Sequence, residues 1–310
     1  MQDLSHQPLS PVLVLMIGLV GGACLAVWAH VVLWWRRGVP VLPYEPRRGV
    51  PWRGIDLFSV LLVYLAGQIG MFLSARLVLG AEATEPPMIR NVEQPDASHA
   101  VARVLAGGDI WTLLLCGLTA AIVAPIVEEF LFRVLLQGYL EDIERRLRPQ
   151  MPTLRRLVSR GTGPILLTSL LFARMHFRVD TPEMGMSFLL WLLIGNAVVG
   201  LLTVVFAVGL LRIHGRATAM DLGWSWDRFA GDVGLGLLAF VAVAVPIYLL
   251  QVTLSAIFPR YVAADPLTLL VFSVALGLLY FRTHRVVPSI VVHMALNITS
   301  LAMAWLLLGC

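Results

Sequence analysis

The sequence predicts an all-α polytopic membrane protein of about eight transmembrane helices enclosing an intramembrane polar cavity. Three observations predict it. Hydrophobic residues make up 58% of the 310-residue chain and charged residues only 14%, against about 25% charged in an ordinary soluble domain. Apolar runs long enough to cross a hydrocarbon core about 30 Å thick recur from end to end. The basic residues are all arginine, and 16 of the 23 fall in alternate loops, the bias expected of cytoplasmic loops.

Taken in order, the first span is Pro11–Trp35. No basic residue precedes it, it is longer than a signal-peptide core, and Arg36 and Arg37 follow it directly. It therefore reads as an anchor with the N-terminus outside. Tyr44 to Trp52 is an interfacial linker rich in Pro and Arg, with Trp34, Trp35 and Trp52 as interface aromatics. The second span, Ile55–Leu79, leads to a polar outer segment, Gly80–Gly108, with a short surface helix expected at Ser98–Leu105. The third span, Ile110–Leu140, carries no charge as far as Val127. A short fourth span, Pro164–His176, follows an Arg-rich loop, and Ser187–Leu211, Val233–Leu254, Pro266–Tyr280 and Val287–Leu308 complete the set. Both termini are then predicted outside, in a plasma membrane. Residues 1–109 form an N-terminal two-span region and residues 110–310 a second domain.

The net charge of +4 follows the membrane topology and does not signal nucleic acid. Cys24, Cys116 and Cys310 are scattered without disulfide or metal-ligand spacing. His30 reads as packing or interfacial, and His6, His99, His214 and His284 as solvated loop residues.

The chemistry concentrates in the third span, at Ala124-Pro125-Ile126-Val127-Glu128-Glu129-Phe130-Leu131-Phe132-Arg133. A charge at mid-bilayer costs on the order of 2.5–3.5 kcal/mol, so three together predict a built polar site. Glu129 and Arg133 stand four apart with the acid N-terminal, the favoured order for a helical ion pair. Glu128, rotated about 100° away, is left free to act as a general base. Pro125, one turn earlier, loosens the helix. Phe172 and His176 share a face of the fourth span, and His293 and Asn297 a face of the last. At 1.5 Å per residue, Glu128 and His176 lie roughly 18 Å, and His293 roughly 9 Å, from the cytoplasmic ends of their helices. Acid, imidazole and amide groups from three helices are therefore expected at one level.

Glu128-Glu129-x-x-x-Arg133, Phe172-x-x-x-His176 and His293-x-x-x-Asn297 resemble the three ordered motifs of the CAAX protease and bacteriocin-processing (CPBP) family, intramembrane endopeptidases related to the type II CAAX prenyl protease. Leu276 to Tyr280 and Arg285 to Ile290 also resemble the family's final helices. The resemblance implies that Glu128 activates water, that His176 assists and orients it, and that His293 and Asn297 stabilise the oxyanion. It further implies that Arg133 holds Glu129 while Phe172 packs the site. The implied partners are a peptide or membrane-protein substrate and the lipid bilayer. Two features depart from the family pattern. Arg174 places a second guanidinium inside the second motif, where it could pair with Glu129, act on Glu128 or reach the other face. Residues 186–255 add two spans before the last motif.

A metal-free mechanism is expected, because an Asn suits an oxyanion and not zinc; a zinc-dependent route would use Glu128, His176 and His293. No His-Glu-x-x-His is present. A non-catalytic scaffold or immunity-type protein of the same fold is the alternative from another class. A proton-relay transporter ranks below it, since no inverted repeat is apparent.

Overall fold

A computed structural model describes residues 11–42, 44–80, 110–152, 158–176, 186–257 and 264–308. Among these residues every regular element is helical. The helices are α1 (Pro11–Arg36), α2 (Gly54–Leu79), α3 (Ile110–Gln150), α4 (Thr162–Met175), α5 (Met186–His214), α6 (Phe229–Ile257), α7 (Ala264–Thr283) and α8 (Val286–Leu308). All eight expected spans appear, each within a few residues except where α3 runs on into its polar C-terminal turns. Seven are long and apolar enough to cross a membrane. The eighth, α4, is a shorter apolar helix of 14 residues, about 21 Å of rise. The expected surface helix at Ser98–Leu105 lies outside the described residues.

α3 is the axis of the fold, with α4, α5, α7 and α8 packed around it. The two additional spans flank this core. α5 joins α2 to α3, and α6 joins α1 to α7 and α8. Small residues allow these approaches, as expected where lipid removes the hydrophobic drive between helices. A Cβ on Gly200 of α5 would lie 2.9 Å from Val127 Cγ1, beside the glutamate pair.

Two prolines shape the interior, and in each case a neighbouring helix supplies the missing donor. Pro246 in α6 has no N–H for the carbonyl of Ala242, and the Trp28 indole of α1 donates to that oxygen at 2.9 Å. In α3, Pro125 follows a π-helical stretch, Gly117–Val123, where the Ala124 N–H bonds back to Thr119 O. The next donor in that pattern belongs to Pro125 and does not exist. The carbonyl of Ala120 is thus left without an α3 partner, and Asn297 Nδ2 of α8 donates to it at 2.9 Å. A second π-helical stretch, Phe130–Gln137, follows Ala124–Glu129. Such wide turns commonly occur at functional sites, and here they bracket Glu128 and Glu129.

At one end of the bundle the linker after α1, the α5–α6 loop and the α7–α8 turn converge. Glu45 pairs with Arg228 at 3.0 Å and with Arg285 at 2.9 Å, and the Val286 N–H bonds to Gly223 O. Two expectations are corrected there. Trp52 is 1% exposed and donates to Leu135 O at 3.2 Å, so it is a core residue and not part of an interface belt. His284 is buried, not solvated, because its two ring nitrogens meet Glu45 O and Glu141.

Candidate active site

Glu128 and Glu129 sit on adjacent faces of α3 and meet different surroundings. Glu129 and Arg133 are fully buried, with Arg133 Nε 3.2 Å from Glu129 Oε2. One helical turn separates them, so the pair forms within the helix whatever surrounds it. Arg133 is then held from three further directions. Its Nη2 donates to Ser273 Oγ at 2.6 Å, its Nη1 to Gln137 Oε1 at 3.4 Å, and its guanidinium lies 5.9 Å from the centre of the Phe172 ring. The other Glu129 oxygen accepts from His293 Nδ1 at 3.0 Å. Both Glu129 oxygens are thus occupied, and Arg174, which is exposed, is not their partner.

Glu128 is about one-quarter exposed. Its Oε2 lies 3.7 Å from His176 Nε2 and 3.8 Å from His293 Nε2, beyond a direct hydrogen bond. Each imidazole is oriented from behind. His176 Nδ1 lies 2.8 Å from Phe172 O, an oxygen that only accepts, so the proton sits on Nδ1. An ionised Glu129 likewise places the proton on His293 Nδ1. In both rings Nε2 is therefore the atom aimed at Glu128.

Phe172 joins the two histidines. It is fully buried, with its ring centre 4.4 Å from that of His176 and 5.8 Å from that of His293. His293 also packs edge-on against Phe272 at 5.4 Å. His176 thus caps the C-terminal end of α4, while α8 delivers His293 from its second turn.

The structure brings Glu128, His176 and His293 together, with Glu129, Arg133 and Phe172 behind them. Asn297 lies one turn beyond His293 and spends one amide hydrogen on Ala120 O. Ser273, Gln137, Glu141 and Phe272 also belong to the site's support. Only Gln137 and Glu141, at i+4 and i+8 from Arg133, left a sequence signal, a polar stripe continuing the Glu129–Arg133 face. Among the described residues, no group of three His, Cys, Asp or Glu side chains is spaced to hold a metal ion.

A family model described as type II CAAX prenyl endopeptidase Rce1-like matches residues 110–299, more than half of the chain. The chain belongs to this family. The match begins at α3 and ends in α8, two residues past Asn297. It therefore spans all three motifs, and it takes in α5 and α6, the two spans that seemed additional. No curated protein and no solved structure matches the chain. Membership of the Rce1-like family and seven apolar helices place the protein among multi-pass membrane proteins of the CAAX-protease type.

Proposed function

We propose that the chain is an intramembrane endopeptidase in which Glu128 activates water to hydrolyse a peptide bond. The observation that carries this reading is the approach of two imidazole Nε2 atoms to one Glu128 oxygen, at 3.7 and 3.8 Å. A water between Glu128 and His176 would donate one proton to the carboxylate and be oriented by Nε2 as it attacks the substrate carbonyl. The resulting oxyanion would be met by His293 when Nε2 carries a proton, and by the second amide hydrogen of Asn297. Collapse of the tetrahedral intermediate breaks the C–N bond, and Glu128 returns its proton to the leaving amine. Glu129 does not titrate in this scheme. It fixes His293 and is itself fixed by Arg133.

The route is metal-free. Asn297 supports this, a neutral amide that suits a developing oxyanion and not zinc. The substrate is a peptide or membrane-protein segment entering from the bilayer. The arginine-rich end faces the cytoplasm of a plasma membrane, with both termini outside.

The deciding experiment is peptide cleavage by purified protein in proteoliposomes. Glu128→Gln should lower turnover by roughly 10²–10⁴-fold, the usual contribution of a general base. Cleavage retained by Glu128→Gln would reject Glu128 as the base, and absence of cleavage by the unaltered protein would favour a non-catalytic membrane scaffold of the same fold.

A further inference from the structure

A line of buried hydrogen bonds continues from the site to the end of the bundle where the loops converge. It begins at His293 Nδ1 and passes through Glu129 to Arg133. Arg133 Nη1 donates to Gln137 Oε1 at 3.4 Å, and Gln137 Nε2 donates to Glu141 Oε1 at 3.0 Å and to Gly277 O at 2.9 Å. Glu141 Oε2 lies 3.1 Å from His284 Nε2, and His284 Nδ1 lies 2.8 Å from Glu45 O. Glu129, Arg133, Gln137, Glu141 and His284 are all buried. The outer end reaches a cavity, whose wall includes Glu45, Arg47, Trp224, Arg228, His284 and Arg285.

The polarity of this line is fixed throughout. Gln137 accepts on one side and donates twice on the other, so its amide has one orientation. Glu45 O only accepts, so His284 Nδ1 carries a proton. One further proton must lie between His284 Nε2 and Glu141 Oε2, on the imidazole or on the acid. A buried network satisfied at every member specifies one arrangement of its side chains. His284 also has φ +51°, a left-handed conformation that costs energy for a residue with a Cβ and persists only where the surroundings impose it.

We infer that Gln137, Glu141 and His284 are positioning residues that brace Arg133 and Glu129, and through them set the ring orientation of His293. The inference rests on the endopeptidase reading only for its kinetic consequence. The α7–α8 turn, which precedes His293 by about two helical turns, thereby takes part in setting the site's geometry.

His284→Asn tests this. Asn tolerates the left-handed backbone but is too short to reach Glu141. In reconstituted protein, kcat should fall roughly ten- to hundred-fold, the scale of a small misplacement of a catalytic group, with KM within about twofold. The ring nitrogens of His293, followed by ¹⁵N-histidine NMR in a Glu128→Gln background, should shift away from the Nδ1–H form. Glu141→Gln supplies a rescue, since its amide still accepts from Gln137 and donates to His284, whereas Glu141→Leu should behave like His284→Asn. The inference is overturned if the His293 signals stay in place in both His284→Asn and Glu141→Leu, or if Glu141→Gln is as damaging as Glu141→Leu. The NMR measurement needs no turnover. A failure of the endopeptidase reading would silence the kinetics and leave the spectroscopic result to decide the brace.

Discussion

Arg133→Met offers the sharpest test of how the site is held. In the native protein Arg133 and Glu129 are both fully buried. The substitution keeps most of the side-chain volume but deletes three hydrogen bonds, to Glu129, Gln137 and Ser273. It leaves the Glu129 carboxylate with His293 alone. Removing one partner of a buried ion pair costs about 3–5 kcal/mol, most of it the penalty of stranding the other charge. The double variant Glu129→Gln/Arg133→Met strands no charge and should recover at least about half of that loss, because apolar or neutral replacements of a whole buried pair are often tolerated. Reversible unfolding in mixed detergent micelles, read by tryptophan fluorescence, supplies the free energies. Both variants should also lose turnover, since His293 loses its acceptor's fixed position. The reasoning fails if Arg133→Met lies within about 1 kcal/mol of wild type, or if the double variant is no more stable than the single one.

Other consequences can be checked in the same preparation. Glu128→Gln should leave the unfolding midpoint nearly unchanged while activity disappears, because Glu128 is partly exposed and outside the Glu129–Arg133 network; a large stability loss would make it a structural residue. Asn297→Ala should cost about 1–3 kcal/mol by stranding Ala120 O, and Pro125→Ala in the same chain should reduce that cost by restoring a backbone donor. Strict additivity of the two would refute the proline account. Gly277→Ala should destabilise by about 1–3 kcal/mol and lower turnover, since its Cβ would stand 3.0 Å from Ile165 Cγ2, 3.2 Å from Gln137 Oε1 and 3.3 Å from Arg133 Nη1. Incubation with 1,10-phenanthroline followed by gel filtration should leave cleavage intact, and loss restored by added zinc would reject the metal-free route.

The sequence alone determined the eight helices and the partners that lie one turn apart. Hydropathy sets where a helix can lie in a bilayer, and the 3.6-residue period sets which side chains share a face. Glu129 and Arg133, Phe172 and His176, and His293 and Asn297 were therefore legible as pairs from spacing alone. Only tertiary structure decided which pairs face one another, because a contact such as His293 with Glu129 joins residues 164 apart in the chain. The same holds for Asn297 with Ala120, where a missing proline N–H makes a demand that only the neighbouring helix reveals. His284 and Trp52 were misread for this reason. A loop residue between apolar spans looks solvated until three loops fold over it and bury its nitrogens against Glu45 and Glu141.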